Sequence, residues 1–149
     1  MKTEGLLEKL QDAVEKRLLS VSELRNIPIL ASKGSDLPSI IETNSKIAIG
    51  SAIVLMPPIP SGADEHAIGP IFGGVVVEVK IFENTMVNRT GKSLLFLAET
   101  VMENLHGWYP GVGDENYQLT LASGPNACRG GRENDTTFFS IRFVIPYNL

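Results

Sequence analysis

The chain has one cysteine, Cys128, and two histidines, His66 and His106, among 149 residues, and that scarcity excludes several chemistries at once. A lone thiol closes no internal disulfide and builds no multi-cysteine zinc site. Basic clusters are missing too. Lysines and arginines are interleaved with acids, as in Glu8-Lys9 and Glu15-Lys16-Arg17, and the formal net charge is −4. Nucleic-acid binders concentrate positive charge because phosphate contacts dominate their affinity, so sequence recognition of nucleic acid is not expected. Long apolar runs are lacking as well. The uncharged stretch from Ile47 to Ala63 is broken by Gly50, Pro57, Pro58, Pro60 and Gly62, whereas a spanning helix needs ~20 mostly apolar residues. It reads as a buried strand leading into a rigid loop, and no membrane association is expected. Met1 to Leu19 is charged throughout, unlike a secretory signal.

What remains is ordinary globular material. Hydrophobic residues make up 43% and charged residues 20% of the chain, too apolar for a disordered segment. A chain of this size buries roughly 68–70% of its unfolded surface without staples. One soluble domain over residues 1–149 is expected.

Leu7, Leu10, Val14, Leu18 and Val21 recur at three- and four-residue steps, predicting a helix from about Thr3 to Leu19 with Thr3 as its cap. Ile27 to Ala31 reads as a short strand with Pro28 at its start. Leu37 to Ser45 is ambiguous, and Ser51 to Met56 is a strand rich in β-branched residues. The Pro57-Pro58-Ile59-Pro60 run then favours a stiff extended conformation, followed by a loop from Ser61 to Gly69. Ile71 to Glu83 is the clearest strand, with Val75, Val77, Val79 and Ile81 on one side and Val76, Glu78, Lys80 and Phe82 on the other. Within it Gly73-Gly74 marks a bulge or a close backbone approach. A second helix opens at Thr90 or Gly91, buries Leu94, Leu97, Ala98, Val101, Met102 and Leu105, and stops at Gly107. Tyr117 to Ser123 reads as a strand and Gly124 to Asp135 as a long polar loop. A closing strand alternates Phe139, Ile141, Phe143 and Ile145 with Phe138, Ser140, Arg142 and Val144. The expected order is α-β-β-β-α-β-β. It predicts an α+β fold, one antiparallel-rich mixed sheet packed against two helices.

Few constellations carry chemistry. Gly91-Lys92-Ser93 follows a strand and opens a helix, the setting of a phosphate-binding loop. That motif needs a glycine five residues before Gly91, where this chain has Met86. The plain reading is a capped helix start with an exposed lysine, and the alternative is a small nucleotide-binding α+β enzyme using Gly91-Lys92-Ser93. Asp64-Glu65-His66 offers three possible metal ligands, but adjacent positions do not readily converge on one ion. His106 ends the second helix, where a cationic side chain suits the helix dipole and could pack with Trp108. Arg129 stands beside Cys128, a neighbour that suits a reactive thiol, yet no histidine is tied to that loop. No catalytic residue, metal site or cofactor is expected, and an incidental loop cysteine is the plainer reading.

The segment from Val75 to Trp108 carries a resemblance. A strand of the type Val-Val-Val-Glu-Val-Lys-Ile-Phe-Glu-Asn, then Val-Asn-Arg-Thr-Gly, then a helix ending Leu105-His106-Gly107-Trp108-Tyr109-Pro110, resembles phage tail terminator proteins, also called tail-completion or minor tail proteins. The order of elements is similar over nearly the whole chain, and the Leu-His-Gly-Trp-Tyr-Pro ending is its most specific piece. The resemblance implies a ring, a hexamer in that family, on the end of a tail tube, with the tube protein and head-joining proteins as partners. It also implies location in the virion tail, and in the host bacterial cytoplasm during assembly, with no catalytic residues. From the residues themselves, the outer positions Val76 and Phe82 need a cover, and two loops suit partner contact. The expected protein interface is Pro57, Pro58 and Pro60 in a stiff loop, Val76 and Phe82 on the sheet, and Arg129 and Arg132 in a flexible one.

Overall fold

The computed structural model describes residues 5–33, 50–62, 72–84, 91–113, 116–123, 127–133 and 136–146. Helix α1 runs from Leu6 to Leu19 and buries Leu10, Val14 and Leu18 at helical spacing. It starts later than expected: Gly5 is the N-cap and makes no side-chain cap bond, and Thr3 lies outside the described residues. Lys16 and Arg17 in its last turn complement the helix dipole. A 3-10 turn at Ser22–Leu24 follows, and Asn26, with φ 70°, turns the chain so that Ile27 enters the core.

Seven strands form one mixed sheet: β1 (Ile29–Ala31), β2 (Ser51–Leu55), β3 (Ile59–Gly62), β4 (Phe72–Asn84), β5 (Thr120–Leu121), β6 (Cys128–Glu133) and β7 (Thr136–Ile145). The long strands β4 and β7 lie at its centre, antiparallel, in register from Val75 opposite Ile145 to Asn84 opposite Thr136. Two short strands share each of their outer edges. Strand β2 pairs with the C-terminal half of β4, and β3 with its N-terminal half. Strands β5 and β6 divide the far edge of β7 in the same way. Among the described residues strand β1, parallel to β2, is the only parallel addition.

Two expectations are corrected here. Ile59–Gly62 is a strand, not the continuation of a loop. Proline lacks an N–H and is tolerated on short edge strands, so Pro60 fits opposite Val75. Cys128–Glu133 is likewise a strand rather than part of a long loop. Its pairing with β7 supplies the order that Cys-Arg-Gly-Gly-Arg-Glu lacks by propensity. Conversely, the strand expected over Tyr117 to Ser123 shrinks to Thr120–Leu121. The expectations for Leu37 to Ser45 and for Ala63 to Gly69 lie outside the described residues.

Helix α2 spans Leu94–Leu105. Its N-cap is Ser93, whose hydroxyl accepts from the Phe96 N–H at 3.1 Å, so the helix opens past Thr90 and Gly91. Gly107, at φ 82°, ends it as expected. Both helices cover the same face of the sheet. Leu10, Val14, Leu18, Leu97, Val101 and Leu105 pack into one core with Ile53, Leu55, Val75, Val77, Val79, Ile81, Ile141, Phe143 and Ile145.

Several polar residues are buried as well, among them Gln11, Ser32, Ser51 and Thr100. Gln11, 2% exposed, sits on the buried stripe of α1. Its Nε2 donates to the carbonyl of Ser32 at 2.6 Å, and the carbonyls of Leu55 and Met56 stand at 3.4 Å. The side chain satisfies backbone acceptors where β1 and β2 end side by side. Gln11→Leu keeps the volume but removes the donor to the buried Ser32 carbonyl at 2.6 Å, a penalty of about 1–3 kcal/mol. Urea unfolding is expected to show a loss in that range with an unchanged m-value.

Candidate functional site

The face of the sheet turned away from the helices is the site. Strand alternation places Ile59, Val76, Glu78, Lys80, Phe82, Phe138, Ser140, Arg142 and Val144 on it, with Arg129 brought in opposite Ser140. The face has three zones. At one end Ile59, 62% exposed, lies across from Val76, and Val76 across from Val144. At the other end Phe82 and Phe138 meet with ring centroids 6.2 Å apart. Between them Glu78, Lys80, Arg129, Phe138, Ser140 and Arg142 line an open depression of about 440 Å³.

The middle zone is basic. The Glu78 carboxylate accepts from the Ser140 hydroxyl at 2.6 Å and from Arg142 Nε at 3.4 Å. It therefore offsets only one of three cations. The Lys80 ammonium lies 5.5 Å from the centre of the Phe138 ring, within the range of a cation–π contact. Arg129 is exposed and has no partner among the described residues. Gly131 makes room for this arrangement, since a Cβ there would stand 2.6 Å from the Phe138 ring.

The expected interface residues separate on this frame. Val76 and Arg129 belong to the uncovered face and carry exposed or half-exposed surface. Phe82 shares the face with Ala52 and Val54, and all three are buried, so the β2 side of the face is covered within the chain and the open part lies over β3, β6 and β7. Pro57 and Pro58 are half-buried between β2 and β3, and Pro60 is half-buried on β3. Arg132 pairs with Thr137 and so projects from the opposite side of β6 to Arg129. Lys80, Phe138 and Arg142 were legible only as members of alternating strands. Their convergence depends on the β4–β7–β6 register.

The other singled-out residues that are described have structural partners. Lys92 Nζ donates to the Glu23 carbonyl, tying the start of α2 to the 3-10 turn. Ser93 is the helix cap, and Met86 lies outside the described residues. Cys128 is half-buried and packs against the core from β6, so it is a strand residue rather than a loop cysteine. Asp64-Glu65-His66 lies outside the described residues. Among the described residues no group of three metal-ligating side chains is found, and no helix is long and apolar enough to cross a membrane.

The Leu105 to Pro110 segment forms a clasp. Gly107 N–H donates to the Leu119 carbonyl at 2.7 Å, Leu119 N–H donates to that of Trp108 at 2.8 Å, and Gln118 Nε2 donates to that of Gly107 at 2.8 Å. His106 Nδ1 accepts from the Leu121 N–H at 2.9 Å, which ties β5 to the end of the helix. Arg17 stands 5.9 Å from the centre of the Trp108 ring and donates to the Asn104 carbonyl, binding α1 to the same junction. Comparison with protein-family models and with curated proteins finds no match.

Proposed function

We propose that this chain is a phage or prophage tail terminator, which caps the tail tube as a closed ring, stops its polymerisation and presents a surface for head joining. The observation that carries the reading is the Leu105-His106-Gly107-Trp108-Tyr109-Pro110 segment at the end of a strand–helix unit. The α+β order around it, with both helices on one face of the sheet, is compatible with the same reading. The tail tube protein and head-joining proteins are its partners, the virion tail its location, and six subunits the expected ring. The chain acts by contact and not by catalysis.

A ring needs two different complementary surfaces on each subunit and a rotation that closes. The uncovered sheet face supplies one of them. Deleting the coding sequence from its phage or prophage and imaging the particles tests the function. Tails of uncontrolled length, or tails that never join heads, are the expected result. Normal joined tails of uniform length would refute it.

A further inference from the structure

Helix α2 has a solvent side that matches the sheet's uncovered face. Leu95 is 69% exposed and Phe96 40%, an unusual exposure for adjacent large apolar residues. Glu99 and Glu103 are also exposed, and with half-buried Met102 they continue that side at helical spacing. The helix contains no lysine or arginine. Two carboxylates four residues apart repel by a few tenths of a kcal/mol, and neither has a partner among the described residues. The helix thus carries a like-charge cost, and two bare apolar side chains, with no compensating partner among the described residues.

The opposite side of the sheet carries the converse. Lys80, Arg129 and Arg142 share one depression with half-buried Phe138, Glu78 is the opposing charge there among the described residues, and apolar Val76, Val144 and Ile59 lie beyond. Lys80 and Arg129 both flank Ser140 across neighbouring strands, so roughly 10 Å separates their backbones at ~4.8 Å per strand. Glu99 and Glu103 are about 6 Å apart along their helix axis. Long basic side chains close a difference of that size.

We propose that the outer side of α2 (Leu95, Phe96, Glu99, Glu103) docks on the uncovered sheet face (Lys80, Arg129, Phe138, Arg142) of a second copy of this chain. Charge complementarity selects the occupant, because the chain's own acidic, apolar helix side fits the chain's own basic, aromatic sheet face. The two surfaces lie on opposite sides of the subunit and cannot meet within it. The contact is therefore heterologous: each copy uses its helix on one neighbour and its sheet on the other. Each sheet then has helices on both faces, its own below and its neighbour's above, which removes the exposed apolar surface from both elements. This deepens the ring reading and rests on it only for closure, since a rotation that did not close would give a filament.

Sedimentation equilibrium on the full chain, from micromolar to millimolar at low salt, tests the contact. The mass is expected to rise above one 16.2 kDa subunit and to fall back as salt screens the charges. Reversing the helix charges (E99K with E103K) or the sheet charges (K80E with R129E) is expected to weaken association at least about tenfold. Mixing the two variants is expected to restore it, because a basic helix then meets an acidic sheet and an acidic helix a basic sheet. Constant subunit mass across the range, reversal variants that assemble as the parent does, or no recovery on mixing would each overturn the contact. If circular dichroism shows a reversal variant unfolded, Leu95→Ser with Glu99→Gln replaces it, and association retained there overturns the contact equally. Tail imaging reads function and sedimentation reads the contact. Association with normal tails removes the tail reading alone, and defective tails with a monomeric chain remove the contact alone.

Discussion

Replacing Gly74 by alanine is expected to lower stability by about 2–4 kcal/mol, seen as a reduced urea midpoint. Gly74 lies in β4 at φ 139°, a conformation that side-chain-bearing residues rarely adopt. An added Cβ would stand 2.6 Å from the Ile145 carbonyl oxygen and 3.3 Å from Pro146 Cα. Both obstacles are backbone, so no rotamer change relieves them. Relief requires β4 and β7 to part at their last register pair, Val75 opposite Ile145, and both of those side chains are fully buried. Strain at the φ angle and overpacking therefore add. Gly131→Ala provides the contrast. Its Cβ would also come within 2.6 Å of another atom, but that atom belongs to the Phe138 ring, which can swing aside. Alanine at position 131 is expected to unfold the protein far less than alanine at 74. Equal losses at the two sites would show that the backbone approach at Gly74 is not what limits the position.

Phe143→Ala is expected to cost about 3–5 kcal/mol, again by chemical unfolding. Phe143 is fully buried beneath the helices, opposite Val77 on β4 and Leu121 on β5. Its truncation leaves a void where a long strand, a short strand and helix α2 converge, and such a site collapses poorly. Phe138, on the same strand but the opposite face, is only half-buried. Removing it forfeits the contact with Phe82 and the surface beneath Lys80, without opening a closed cavity. Phe138→Ala is thus expected to be milder for stability and more damaging to self-association. A larger stability loss at Phe138 than at Phe143 would mean that the outer face, not the helix-covered one, holds the principal core.

Much of the architecture could be read directly from residue spacing. The alternation from Val75 to Phe82 and from Phe138 to Ile145 assigned the two long strands and their inner sides, because a strand buried on one side repeats every second residue. The apolar stripes of α1 and α2 did the same for the helices. Gly74 and Gly107 were legible because a backbone with positive φ or a close neighbour demands glycine. Strands β3 and β6 were not. Ile-Pro-Ser-Gly and Cys-Arg-Gly-Gly-Arg-Glu lack strand propensity, and they are ordered by hydrogen bonding to β4 and β7, the strands that follow them in the chain. Gln11 was missed for a related reason: it occupies a position that is polar by type, and its carbonyl partners come from Ser32, Leu55 and Met56.

The candidate site divides along the same line. By itself the sequence determined that the sheet has an outer side and that Val76, Glu78, Lys80 and Phe82 belong to it, since alternation is a local property of a strand. Only the tertiary structure decided which of those residues are reachable. Phe82 is withdrawn against Phe138, while Arg129, expected in a loop, is carried onto the face by its pairing with Ser140. The β6–β7 hairpin sets Arg129 beside Ser140, but the register between β4 and β7, far apart in the chain, is what brings Lys80 to the same depression, and no local pattern encodes it.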